Sequence, residues 1–168
     1  LLAGLYEGCG RLDLAVAQAE ALVAKREKEA GGYRRLVELL ARMGQDKEAA
    51  RVLSTLVDLQ PDDLGLKRRY AYALLRAGDL EAAKAAVDVL VRSDADSVET
   101  RLLLGEFHRV QKQAKEAREV LEALYAEHPR ADTAQALSLV LLRLEDAEEA
   151  FRVLEPWAAK LEATPLVV

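Results

Sequence analysis

A period of 34 residues runs through the sequence and constrains its fold more than any other feature. The stretch GDLEAAKAAVDVL, which begins at Gly78, has near-copies in GQDKEAARVLSTL from Gly44 and GRLDLAVAQAEAL from Gly10. A small residue marks the same place in each repeat, at intervals of 34, 34, 34 and 33 positions: Ala15, Ala49, Ala83, Ala117 and Ala150. Such periodicity is typical of architectures in which each unit packs against the next.

Each repeat is predicted to be a hairpin of two helices. In the second repeat, apolar residues recur every three or four positions, which is the pattern of an amphipathic helix. One stripe consists of Leu36, Leu39, Leu40 and Met43, and the other of Ala49, Val52, Leu53, Leu56 and Val57. Gly44 separates the stripes, where a glycine in the left-handed conformation can end a helix. Pro61 then ends the hairpin.

Short side chains are expected where the two helices of a hairpin cross. On the second helices these are the periodic alanines, and on the first helices they are Ala3, Ala71 and Gly105. A single hairpin cannot bury its apolar face alone, so neighbouring hairpins are expected to stack.

The sequence resembles the tetratricopeptide repeat (TPR) family. The matching residues are Ala3, Tyr6, Gly10 and Ala15 in the first repeat, Gly44, Ala49 and Pro61 in the second, and Gly105, Ala117 and Pro129 in the fourth. The resemblance implies an all-α, right-handed solenoid of about five helix-turn-helix hairpins. We place the repeats at 1–29, 30–63, 64–97, 98–131 and 132–163, with a further helix starting in 164–168 at Thr164-Pro165.

Three departures from the family pattern carry local predictions. Lys112 and Glu145 stand where the other repeats have the turn glycine. The last repeat is one residue shorter, and we place the loss near Arg130–Asp132. Pro156 falls inside the last second helix and is expected to kink or end it, because proline removes a backbone hydrogen bond.

Composition restricts the partners. The net charge of −5 disfavours nonspecific nucleic-acid binding by the whole surface. The single cysteine, Cys9, excludes an intrachain disulfide, and no apolar run approaches the ~18 residues of a membrane span. The absence of Ile and Asn suggests a GC-rich bacterial genome, and the compartment is left open between cytoplasm and periplasm. The start lacks Met, so we expect part of a longer protein with more repeats.

No residue pattern predicts an enzyme, a cofactor or a metal site. His108, near Glu106 and Arg109, can be interpreted as a general base. We favour a packing role instead, in the slot that the family usually gives to Tyr. His128 is expected to be solvated, and the histidines and cysteine lack metal-ligand spacing.

The first helices are rich in basic residues, and in the family such helices line the concave groove. Arg34 and Arg68 are one period apart, as are Arg42 and Arg76. The candidate partner-binding residues are Arg34, Glu38, Arg42, Arg68, Tyr72, Leu75, Arg76, Glu106, Arg109 and Arg143. An alternative interpretation is that Arg42, Arg76 and Arg143 complement helix dipoles.

We therefore predict a noncatalytic scaffold that binds an acidic peptide or domain in the groove. The resemblance implies service in bacterial envelope, secretion, pilus or polysaccharide machinery. The absence of Asn from the sequence excludes the asparagine-containing carboxylate clamp of the chaperone-binding members of that family. Two alternatives remain: end-to-end self-association of the repeats, and a nucleic-acid-binding solenoid, which is disfavoured because base-stacking aromatics are not regularly spaced.

Overall fold

The computed structural model describes residues 6, 8–27 and 29–158, and within these residues the regular structure is helical, without strands. The helices are α1 (Leu12–Lys25), α2 (Ala30–Arg42), α3 (Asp46–Leu59), α4 (Leu64–Ala77), α5 (Leu80–Ser93), α6 (Val98–Val110), α7 (Ala114–Glu127), α8 (Ala131–Arg143) and α9 (Ala147–Leu154), followed by a 3-10 turn (Glu155–Trp157). The predicted all-α fold class, a solenoid of helical repeats, is confirmed. Ala3, Thr164 and Pro165 lie outside the described residues.

The chain divides into two compact units after Ala86, within α5. In the first unit, α1 packs on α2, α2 on α3 and α3 on α4. In the second, α6 packs on α7, α7 on α8 and α8 on α9, and α6 also contacts α8. Consecutive helices therefore pair within each unit. The single array over 1–168 stays a prediction.

The small residues predicted at the helix crossings are buried wherever the structure describes them. The five periodic alanines and Ala71 are buried. Gly105 on α6 lies against Leu121 on α7, and a Cβ atom added to Gly105 would lie 2.6 Å from the Cγ and Cδ2 atoms of Leu121. The two helix backbones thus approach so closely at this point that any side chain would displace Leu121.

Among the described residues, the turn before α1 and the four turns within the hairpins α2–α3, α4–α5, α6–α7 and α8–α9 each contain a residue in the left-handed conformation. Gly10, Gly44 and Gly78 have φ values of 70°, 68° and 77°, and Lys112 and Glu145 have 62° and 63°. Each turn is closed by an amide that bonds to a carbonyl five residues earlier, such as Asp79 N–H to Leu74 O at 3.0 Å and Gln113 N–H to His108 O at 2.9 Å. The backbone geometry is therefore kept where the glycine is lost.

We expect Lys112→Gly and Glu145→Gly each to raise the free energy of unfolding by about 0.5–1 kcal/mol. A residue with a Cβ atom in the left-handed conformation destabilises the folded state by about 1–2 kcal/mol, and glycine removes this strain. Glycine also makes the unfolded chain more flexible, which reduces the gain in stability by about 0.4–1 kcal/mol. Urea denaturation measures the change. The control is Gly78→Ala, which should lower the free energy of unfolding. A loss of stability in both glycine variants would contradict a strained turn.

The loop between α7 and α8 has lost one residue, where the sequence predicted the loss. It spans three residues, 128–130, whereas the corresponding loops 60–63 and 94–97 have four. Thr133 organises the shorter loop, because its buried hydroxyl donates to the carbonyl of His128 at 2.8 Å and accepts from the amide of Arg130 at 3.1 Å. The hydroxyl thereby forms hydrogen bonds with backbone groups of the loop that would otherwise lack a partner before α8 begins.

Pro156 ends the last α-helix as predicted, since α9 stops at Leu154 and the chain continues as the 3-10 turn. The turn is fixed to α7 by hydrogen bonds. The indole N–H of Trp157 donates to the hydroxyl of Tyr125 at 3.1 Å, and that hydroxyl donates to the carbonyl of Val153 at 3.4 Å. The distortion thus places a tryptophan against the preceding hairpin.

Candidate protein-binding surface

Four positions, spaced i, i+4, i+7 and i+8, recur on the first helix of each hairpin and share one helix face. The ten predicted binding residues all occupy these positions. We name the set the binding rows: Arg34, Glu38, Ala41 and Arg42 on α2; Arg68, Tyr72, Leu75 and Arg76 on α4; Leu102, Glu106, Arg109 and Val110 on α6; and Gln135, Leu139, Leu142 and Arg143 on α8.

Arg34 connects α2 to the beginning of α4. Its Nη2 atom donates to Gln60 Oε1 at 2.8 Å and lies 3.5 Å from Asp63 Oδ2. The Oδ1 atom of Asp63 accepts the amide N–H of Leu66 at 3.0 Å and so caps α4. This arginine therefore serves the packing of neighbouring hairpins as well as facing solvent.

Arg76 and Arg109 also have acidic neighbours. The Nε atom of Arg76 lies 3.1 Å from Asp46 Oδ1 at the start of α3. Arg109 forms a bidentate ion pair with Glu106. Its Nε atom donates to Glu106 Oε2 at 2.7 Å, and its Nη2 atom donates to Glu106 Oε1 at 2.6 Å. The hydrogen bond from Glu106 raises the pKa of the Arg109 guanidinium above its ordinary value. The positive charge that the sequence predicted is thus partly compensated within the chain.

The remaining charged and polar members of the rows on α2 and α4 also interact within the chain. Glu38 accepts from Arg35 at 3.1 Å. Arg42, Arg68 and Tyr72 each interact with other groups of the chain, and Arg68 and Tyr72 are half-buried.

Leu75 does not supply the apolar contact surface expected of it. Its exposed fraction is 5%, which assigns it to the core of the first unit. It occupies a position of the binding rows and is nevertheless buried. The structure therefore corrects this assignment.

Sequence reasoning missed two apolar members of the binding rows. Leu139 and Leu142 on α8 are 50% and 52% exposed. They occupy the register of Glu106 and Arg109, shifted by the 33 residues of the last repeat. The register itself was the signal that could have identified them. In the second unit α6 packs against α8, so two neighbouring helices carry binding-row residues.

No group of three or more His, Cys, Asp and Glu side chains among the described residues is arranged to hold a metal ion. The Nδ1 atom of His108 lies 2.8 Å from Gln113 Oε1, and its ring meets Phe107 edge-on with centroids 5.7 Å apart. These contacts describe a packed histidine. In the described part of the chain, each helix is too short or too polar to cross a bilayer.

A comparison of the sequence with known protein families agrees with the helix hairpins, the left-handed turns and the buried small residues. Residues 44–107 match the model of the tetratricopeptide repeat family. This match and the fold support a tetratricopeptide repeat protein. No curated protein sequence matches the chain.

Solved TPR structures have the same fold. MamA 41-end from Desulfovibrio magneticus RS-1 is 15% identical, with a TM-score of 0.70 over 98% of this chain and 93% of that one. A tetratricopeptide repeat protein from Parabacteroides merdae is 15% identical, with a TM-score of 0.79 over 92% and 61% of the two chains. A thermophilic TPR protein from Thermus thermophilus is 20% identical, with a TM-score of 0.70 over 99% and 90%.

Identities this low establish the fold and leave the partner open. TPR proteins are in general noncatalytic scaffolds for protein–protein interactions, and this is the function class that family and fold support.

Proposed function

We propose that this TPR chain binds a peptide or domain of a partner protein on its binding rows, with Leu139 and Leu142 as apolar anchors. The observation that carries this proposal is the exposure of both leucines, 50% and 52%, one helical turn apart on a first helix. Arg143 follows directly and is exposed. Within the described residues it forms no ion pair, so its guanidinium can accept a carboxylate of the partner.

The magnitudes favour the leucines as the main source of affinity. Burying a fully exposed leucine contributes about 1.5–3 kcal/mol, so two half-exposed leucines together offer a similar total. An exposed ion pair contributes about 0–1 kcal/mol. The arginines Arg34, Arg76 and Arg109 must also exchange an existing acidic neighbour for a new one. An apolar centre with a charged rim is the usual anatomy of such an interface.

The partner that fits is a segment with apolar side chains beside a carboxylate. An acidic character of the whole partner, a role in bacterial envelope, secretion, pilus or polysaccharide machinery, and end-to-end self-association all stay predictions. The concave groove of the family is the expected location of the binding rows.

The test is a double substitution on α8. Partners captured by the immobilised chain are identified by mass spectrometry, and the Kd of one purified partner is measured by calorimetry. Leu139→Asp with Leu142→Asp should raise this Kd at least tenfold, because the anchors become charged. The matched control is Phe151→Asp, another exposed apolar residue, 67% exposed on the second helix α9, and it should leave the Kd unchanged.

Circular dichroism and thermal unfolding establish that each variant keeps its fold. A double variant that folds normally and binds with the original Kd would refute the anchoring role of α8. Loss of binding in the Phe151 variant alone would move the interface to the second helices.

A further inference from the structure

A pocket of about 330 Å³ lies in the first unit, where α3, α4 and α5 meet. Its apolar wall includes Ala50 and Leu74, which are buried. Lys47 and Arg51 on α3 are exposed at its rim. They are four residues apart and so share one face of the helix. The pocket thus combines an apolar wall with two adjacent cations.

Apart from Asp79, the polar side chains that line this pocket have no polar partner among the described residues. Within the part of the chain that the structure describes, the side chains of Lys47, Arg51, Ser54 and Tyr70 form no ion pair or hydrogen bond. Asp79 is the one acid among the lining residues, and its Oδ1 atom accepts the amide N–H of Ala82 at 3.1 Å. Two cations against one carboxylate leave the lining with a net charge of +1 on a chain whose net charge is −5.

Corresponding grooves elsewhere do not share this charge. Two repeats later, Lys115 and Glu119 on α7 occupy the register of Lys47 and Arg51. In that groove Arg118 pairs with Glu122 at 2.6 Å, so the charges cancel locally. One repeat earlier, the same two positions on α1 are Asp13 and Ala17, neither of which is basic. The free cation pair is therefore a property of α3 and does not follow from the repeat.

We propose that this pocket binds a glutamate or aspartate side chain from an acidic segment of a protein partner. Arg51 presents a planar fork that suits a carboxylate, and Lys47 adds a mobile point charge. The hydroxyls of Ser54 and Tyr70 can donate to the same oxygens. The apolar wall accepts the methylene groups of the side chain. The inference rests on the proposed function in that the ligand is a protein, but the two cations lie on α3, which carries none of the binding rows.

The test uses the whole chain, labelled with 15N, and short capped peptides. Acetyl-Leu-Glu-Glu-Leu-amide should shift the amide signals of Lys47–Ser54 and Tyr70, and its Gln-for-Glu counterpart should not. Lys47→Glu with Arg51→Glu should raise the Kd of the acidic peptide at least tenfold. The control, Lys112→Glu with Lys115→Glu, changes the net charge equally at positions of the second unit outside this pocket and should leave this Kd within twofold.

Two results would overturn the inference. The first is equal binding of the Gln peptide, or shifts that map away from α3 and α4. The second is inorganic phosphate producing these shifts while the acidic peptide does not, which would identify a site for a free anion. Neither result alters the effect of Leu139→Asp with Leu142→Asp on partner affinity, so failure of the pocket and failure of the binding rows are distinguishable.

Discussion

Replacing Leu121 by alanine is expected to lower the free energy of unfolding by about 2–5 kcal/mol. Leu121 is 1% exposed and belongs to the core formed by α7, α8 and α9. Its side chain also covers Gly105 on α6. Because the helix backbones are already close at this crossing, they cannot move inward to fill the space that the smaller side chain leaves. The loss therefore includes a cavity contribution as well as the lost burial.

Urea denaturation followed by tryptophan fluorescence measures this loss in the relevant unit, because Trp157 is the single tryptophan and packs against Tyr125 there. Leu139→Ala is the matched control. It removes the same atoms from a side chain that is 50% exposed, so its cost should stay below about 1 kcal/mol. Equal losses in the two variants would contradict the placement of Leu121 in the core.

Gly105→Ala is expected to lower the free energy of unfolding by about 1–3 kcal/mol through overpacking. Alanine is the better helix former by about 1 kcal/mol, so propensity alone predicts the opposite sign. The steric effect should dominate because the new methyl group would lie 2.6 Å from two atoms of a buried leucine. Gly31→Ala in α2 is the control, since an added Cβ has no neighbour within 4 Å, and it should not destabilise.

The double variant Gly105→Ala with Leu121→Ala tests whether the two residues act through direct contact. The added methyl group enters space that Leu121 has vacated, so the loss should be smaller than the sum of the single losses. Strict additivity would mean that the two substitutions act through separate parts of the core.

The helices and turns were predictable because the repeat encodes them locally. Each hairpin contains its own apolar stripes and its own turn position, and repetition shows which residues are equivalent. Lys112 and Glu145 illustrate this, since their left-handed conformations follow from register although neither residue favours them. The shortened loop before α8 was likewise visible as a change in spacing from 34 to 33.

The pairing of surface charges was not predictable from the same pattern. Asp46 and Arg76 are 30 residues apart, and Arg34 and Asp63 are 29 apart. These pairs depend on how one hairpin stacks on the next and on which rotamer each long side chain adopts. A count of basic residues along the first helices therefore overstated the positive charge of the surface.

The position of a residue in the repeat predicts which side of the helix its side chain lies on, but it does not predict whether other side chains cover it. Leu75 and Leu142 occupy equivalent positions, but Leu75 is 5% exposed and Leu142 is 52% exposed. The difference lies in the neighbours that each residue meets in its own unit, which the repeat pattern does not specify. Apolar residues in the binding rows therefore need a structure before they can be assigned to a core or to a binding surface.

The shortened loop between α7 and α8 indicates where the length of this chain can be altered by engineering. Deleting one residue inside a helix would turn every later side chain by about 100° about the helix axis. Here the deletion falls between hairpins, and Glu145 and Ala150 keep their left-handed turn and buried crossing within the hairpin that follows. Loops between hairpins, such as 94–97, are therefore the preferred places to splice in a tag or a cleavage site, whereas the turns within hairpins are poor choices.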